Sequence, residues 1–130
     1  FVKSIFSERI VPMTNVNQKR IAFAFSRRDT VAKHEDEGDA LSGFPSLVIN
    51  CGLANALLYA DEKEKQSRRI AEAVVEYLLS CRYVAEKTGL QNGGVREFVE
   101  KLCCISDIHL SMYCTEEALE FLAALKRVAR

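Results

Sequence analysis

The sequence has no tryptophan, two prolines, two histidines and six glycines in 130 residues. With so few helix breakers, collagen-like and Pro/Gly-rich disordered classes are excluded. No apolar run approaches the roughly 20 residues that a bilayer-spanning helix needs, so no membrane segment is expected. The opening Phe1-Val2-Lys3-Ser4-Ile5-Phe6 lacks a long apolar region followed by a small-residue cleavage site, and a signal peptide is not expected. Neither sign of charge is in excess, because 18 Lys and Arg face 18 Asp and Glu. No global basic surplus therefore advertises a polyanion. The five cysteines, Cys51, Cys81, Cys103, Cys104 and Cys114, are odd in number and form no C-x-x-C pair. That pattern suits neither a disulfide framework nor a zinc site. Four of them sit in apolar stretches, which reads as small buried hydrophobes in a reducing cytoplasm.

Catalytic chemistry is also missing. His34 and His109 are far apart, and neither has the i+4 partner of a helical metal pair. Gly93-Gly94 lacks the G-K-[ST] ending of a phosphate loop. Cys103 or Cys114 with His109 would make a nucleophile and base in principle, but nothing in the sequence orients such a pair. Glu116, Glu117 and Glu120 read as N-terminal helix residues rather than an acid–base set. No catalytic residue, metal site or cofactor is expected.

What is present is helical periodicity. Apolar residues make up 48% and charged residues 28%, as in soluble globular chains, and no run alternates at period two long enough for a strand. The pattern predicts an all-α, compact single-domain bundle of five or six helices over residues 15–130, preceded by an extension at 1–14. A first helix is expected from about Asn15 or Asn17 to Ala32. The acidic cluster Glu35-Asp36-Glu37-Gly38-Asp39, with Gly43, then reads as a loop. A second helix, starting near Phe44-Pro45-Ser46 and running to about Ala60, is apolar nearly all round and is expected to be central. Gly52 lies in its interior, where close approach of a neighbour would compensate the roughly 1 kcal/mol it costs against alanine. A third helix is expected from about Glu64 to Lys87, followed by a Gly-rich loop at 88–94. A shorter helix follows at 95–105 with Phe98, Val99, Leu102 and Cys103 inward. After a brief helical turn at 107–112, the last helix is expected to begin with Thr115 as its N-cap.

Two patterns go beyond a minimal core. On the first helix, Ile21, Ala24, Phe25, Val31 and Ala32 share one face, at 100° per residue. Lys19, Arg20, Phe23 and Arg27 share the other, an exposed basic stripe with an aromatic suited to base stacking or a partner pocket. Lys126, Arg127 and Arg130 close the chain with further positive charge. On the third helix the stripe Ile70, Val74, Tyr77, Leu78, Cys81 and Val84 is the expected core face. A second apolar row, Val75, Leu79 and Tyr83, lies roughly opposite. Either that helix is sandwiched, or the row is an interface with another subunit.

Three segments carry a family resemblance. Phe44-Pro45-Ser46-Leu47-Val48-Ile49-Asn50-Cys51-Gly52-Leu53-Ala54-Asn55-Ala56-Leu57 resembles a motif of the small subunit of the Cmr complex, the type III-B CRISPR RNA-silencing effector. Thr115-Glu116-Glu117-Ala118-Leu119-Glu120-Phe121-Leu122, continuing to Ala129, is similar to that family's C-terminal motif. Here Ala124 stands where tryptophan is common in the family, and Val128 where phenylalanine is. Lys19-Arg20-Ile21-Ala22-Phe23-Ala24 is similar to its opening helix, and the order and spacing agree over about residues 17–130. The resemblance implies a non-catalytic helical subunit that stacks in several copies with other Cmr subunits. It also implies contact with guide RNA and target RNA through phosphates, without sequence specificity, in antiviral defence. The analogous small subunit of the related Csm effector has a similar helical role. On the residues alone, a general helical adaptor with no RNA contact is the alternative.

Overall fold

A computed structural model describes residues 16–31, 37–63 and 65–128. Seven helices form among them: α1 Val16–Val31, α2 Glu37–Cys51, α3 Leu53–Glu62, α4 Lys65–Ser80, α5 Arg82–Thr88, α6 Val95–Cys104 and α7 Ile108–Val128. No strand occurs among the described residues, so the all-α expectation holds and the count of five or six rises to seven. The expected extension at 1–14 lies outside the described residues.

Two long predicted helices are each broken once, and this accounts for the extra elements. Gly52 separates α2 from α3 with φ 87° and ψ 156°, a backbone region essentially closed to residues with a Cβ. A Cβ built there would touch nothing within 4 Å, so the glycine serves the bend and not a close helix approach. Backbone bonding continues on both sides: Gly52 N donates to Val48 O at 2.9 Å, and Ala56 N donates to Gly52 O at 3.0 Å. Cys81, with φ −80° and ψ 122°, makes the second break, between α4 and α5. Gly89 then ends α5 in the left-handed region, where its N–H reaches Ala85 O at 2.8 Å.

Other boundaries moved for identifiable reasons. α2 begins at Glu37, seven residues before the predicted start, so the acidic segment is partly helical and Pro45 falls inside the helix. Burial of Leu41 and Phe44 at 3% and 4% exposure secures the earlier turns against the missing Pro45 donor. α7 begins at Ile108, and its cap is Asp107, whose Oδ1 accepts from His109 N at 3.0 Å and Leu110 N at 3.2 Å. These bonds, the one from Leu110 foremost, hold the Asp107 carboxyl below the usual carboxylate range. Thr115 is therefore no N-cap: it lies mid-helix and donates from Oγ1 to Ser111 O at 2.9 Å.

The centre of the bundle is α4, which touches all six other helices; the predicted second helix is more peripheral, with Ile49 and Cys51 exposed. Its expected stripe of Ile70, Val74, Tyr77 and Leu78 is buried, joined by Cys81 and Val84. The opposite row is buried too, at Val75 and Leu79, so α4 is sandwiched. Tyr83, on α5, is half-buried edge-on to Tyr113, 4.9 Å between centroids. α6 turns Phe98, Val99 and Leu102 inward as expected, whereas Cys103 is exposed. Of the five thiols only Cys81 and Cys114 are buried; Cys51, Cys103 and Cys104 face solvent.

Candidate nucleic-acid interface

Helix α1 meets the bundle with the face that its basic residues occupy. Arg20 reaches α7, donating from Nη2 to Glu117 Oε2 at 2.6 Å and from Nε to Oε1 at 3.2 Å. Both side chains are mostly enclosed, at 13% and 12% exposure, and Glu120 lies farther out at 3.8 Å. Tyr77 from α4 donates its hydroxyl to the same Glu117 oxygen at 2.9 Å. Burial first, then the neighbouring acidic groups, holds the Tyr77 phenol far above its ordinary range, so it remains a donor. The hydrogen bond to Glu117 likewise raises the Arg20 guanidinium.

Phe23 belongs to the same internal assembly. Its ring stands edge-on to Tyr77 at 5.5 Å and to Phe121 at 5.7 Å, while Tyr77 and Phe121 stack at 4.6 Å with planes 4° apart. Arg27 lies over the Phe23 ring at 4.6 Å and pairs with Glu76 of α4 at 2.9 Å. Lys19 Nζ donates to the Ser80 carbonyl at 2.9 Å, at the end of α4 where the helix dipole favours a cation. The stripe Lys19, Arg20, Phe23 and Arg27 is thus brought together as expected, but Arg20 and Phe23 turn into the bundle, while Lys19 and Arg27 bond to α4 and stay partly exposed. The acids that accept it, Glu76 and Glu117, lie 49 and 97 residues away from their partners, which is why a local helical wheel misassigned the face.

The outward face of α1 is the one read as its core side. Only Ala24 of that set, among those with described side chains, is fully enclosed. Ile21 is 38% exposed and Phe25 55%, and the Arg28 guanidinium lies 5.9 Å from the Phe25 ring centroid. The spacing of Ile21, Phe25 and Arg28 at i, i+4 and i+7 was legible, but nothing local assigned it to solvent.

Pairs of Arg20 with Glu117 and of Phe23 with Phe121 show that α1 and α7 run in the same direction. Advancing equally along both at 1.5 Å per residue brings Arg28 level with Lys126. The exposed C-terminal cations Lys126 and Arg127 therefore share one end of the bundle with Phe25 and Arg28. Among the described residues, neither Lys126, Arg127 nor Arg28 has an acidic partner. Arg130 lies outside the described residues.

The expected interface row Val75, Leu79 and Tyr83 offers no continuous outer surface, since its first two members are inside. Exposed apolar side chains occur instead at Ile49, Ile108 and Met112. An open groove between the α2–α3 break, α6 and the start of α7 lies beside Ile108, lined also by Leu53, Leu102 and Ile105. No cluster of three or more metal-ligating side chains occurs among the described residues, and no described helix is long and apolar enough to cross a membrane. Cys114 is enclosed, and burial pushes its thiol up to about 12, which disfavours the reactive thiolate. His34 lies outside the described residues.

The family described as CRISPR-associated protein (Cas_Cmr5) matches residues 16–130. The chain belongs to this family. The Cas_Cmr5 match starts at the first residue of α1 and takes in all seven helices. It identifies the chain as a small subunit of the Cmr complex of type III-B CRISPR defence, associated with other Cmr subunits. No curated protein and no solved structure is significantly similar to this Cas_Cmr5 chain. The sequence alone marked the helical class but not Glu117 as the junction of three helices. Its signal was faint, because Glu117 sits between Glu116 and Glu120 with nothing local to single it out.

Proposed function

We propose that the chain is a non-catalytic Cmr subunit of the cytoplasm that contacts guide and target RNA through phosphates, whatever their sequence, and stacks with further copies of itself. One observation carries the RNA contact: Arg28, Lys126 and Arg127 are cations without acidic partners among the described residues, gathered at one end of the bundle. Unpaired cations release counterions from a nucleic acid, whereas Arg20 and Arg27 are already neutralised by Glu117 and Glu76. Arg20 and Phe23 are assigned to holding α1 on the bundle. Lys19 and Arg27 keep exposed portions beside the RNA path, and Arg130 extends the C-terminal set.

The test is RNA affinity of the assembled complex across a salt series. Replacing Arg28, Lys126 and Arg127 together with alanine should lower the magnitude of the log-affinity against log-salt slope by roughly 2, at about 0.7 per contact for single strands. The loss should be equal for unrelated RNA sequences. An unchanged slope in an intact assembly would sink the reading. A pure adaptor without RNA contact is the second reading, favoured by Ile108 and Met112 at 72% and 55% exposure. Under that reading Ile108→Glu weakens assembly and the charge variants change nothing.

A further inference from the structure

We infer that Phe25 is a stacking platform for an unpaired RNA base, with Arg28 and the end of α7 holding the adjacent phosphates. The inference rests on the RNA-contacting reading above and names the kind of nucleotide that reading would engage. Phe25 is more than half exposed, on the outer face of α1, and no other aromatic ring of the described residues covers it. Phe23, two residues earlier, shows the contrast: its ring is committed to Tyr77 and Phe121.

A cation already lies near the Phe25 ring, 5.9 Å from its centroid, and no ion pair neutralises it among the described residues. Lys126 and Arg127 are level with it on the neighbouring helix and equally without an ion pair among the described residues. An exposed aromatic with a guanidinium beside it and two further cations at the same end of the bundle is a poor fit to a protein interface, where charged groups are depleted from the buried centre. Ring and cations together complement a polyanion that also offers flat apolar faces. Unpaired nucleotides present such a face for stacking, with a guanidinium adding cation–π attraction. A duplex keeps its bases stacked internally and offers chiefly phosphates and sugars. Phe25 therefore favours single-stranded over double-stranded RNA, a discrimination that the cations alone do not provide.

The experiment uses the assembled complex, an unstructured single-stranded RNA carrying 2-aminopurine, and a duplex of equal length. Phe25→Ala should weaken single-strand binding about tenfold, as expected for one lost stacking contact, and leave duplex affinity and the salt slope unchanged. Quenching of 2-aminopurine on binding should diminish in Phe25→Ala and survive in Phe25→Trp. Equal effects on both RNAs, or none, would overturn the stacking role. If the triple cation variant lowers the salt slope while Phe25→Ala changes nothing, phosphate contact stands and stacking falls. If neither changes, or the wild-type complex does not bind the single strand, both readings fall. Loss of assembly in Phe25→Ala with RNA affinity of the remaining complex intact would assign the ring to a protein partner and overturn the inference.

Discussion

Glu117 is the residue on which three helices converge: it accepts from Arg20 of α1 and from Tyr77 of α4, and itself belongs to α7. Removing its charge takes the closest carboxylate from an enclosed guanidinium, and Glu120 at 3.8 Å is 60% exposed. Glu117→Gln should destabilise the fold by about 3 kcal/mol, because breaking an enclosed pair leaves the other charge uncompensated. Glu120→Gln should change stability by less than about 0.5 kcal/mol, as for other exposed charges. Urea unfolding of the two variants decides between them; equal effects would deny Glu117 its special place. The thiols offer a second residue-scale check. Cys51, Cys103 and Cys104 are exposed, while Cys81 and Cys114 are buried with thiols pushed upward by burial. A thiol-alkylating reagent should modify the first three in the native protein and the other two only on unfolding. Rapid native labelling at Cys114 would contradict the packing around it.

At the scale of elements, the breaks at Gly52 and Cys81 are as informative as the helices. Two glycines on one chain segment should respond in opposite directions. Gly52→Ala forces a Cβ into a backbone region reserved for glycine and should cost about 2 kcal/mol, although no neighbour obstructs the methyl group. Gly43 is interior to α2, where a Cβ would meet nothing within 4 Å. Gly43→Ala should stabilise by up to about 1 kcal/mol through helix propensity. Thermal unfolding followed by circular dichroism reads both signs, and a neutral Gly52→Ala would mean that α2 and α3 straighten without penalty.

For the whole molecule, the decisive feature is that α4 is enclosed from more than one side. Leu79, 7% exposed, belongs to a shared interior and is not a free docking surface. Leu79→Glu should therefore unfold the isolated chain or destabilise it by more than about 3 kcal/mol, through a charge buried without a partner. A variant that keeps its stability and loses only assembly would return the row to an intermolecular role. The apolar surface left for such a role lies at Ile49, Ile108 and Met112 instead.

Composition and periodicity by themselves determined the helical class, the absence of a recognisable catalytic or metal motif, the core stripe of α4 and, except at Cys103, that of α6. Those properties are local: apolar spacing marks a buried face wherever one face is clearly more apolar than the others. The segments around Gly52 and Thr115 also carried the family, which the match over 16–130 then showed. The tertiary structure alone decided which way α1 faces. On that helix each candidate face holds an aromatic, and the basic one becomes the inner one because Glu76 and Glu117 arrive from distant segments to neutralise it. The same holds for Thr115 and Asp107, both chemically able to cap. The choice went to Asp107, whose carboxylate accepts both the His109 and Leu110 N–H groups, with Leu110 fully enclosed in the core beside it. A helix's face and its first residue are set by what packs against it, and that information lies elsewhere in the chain.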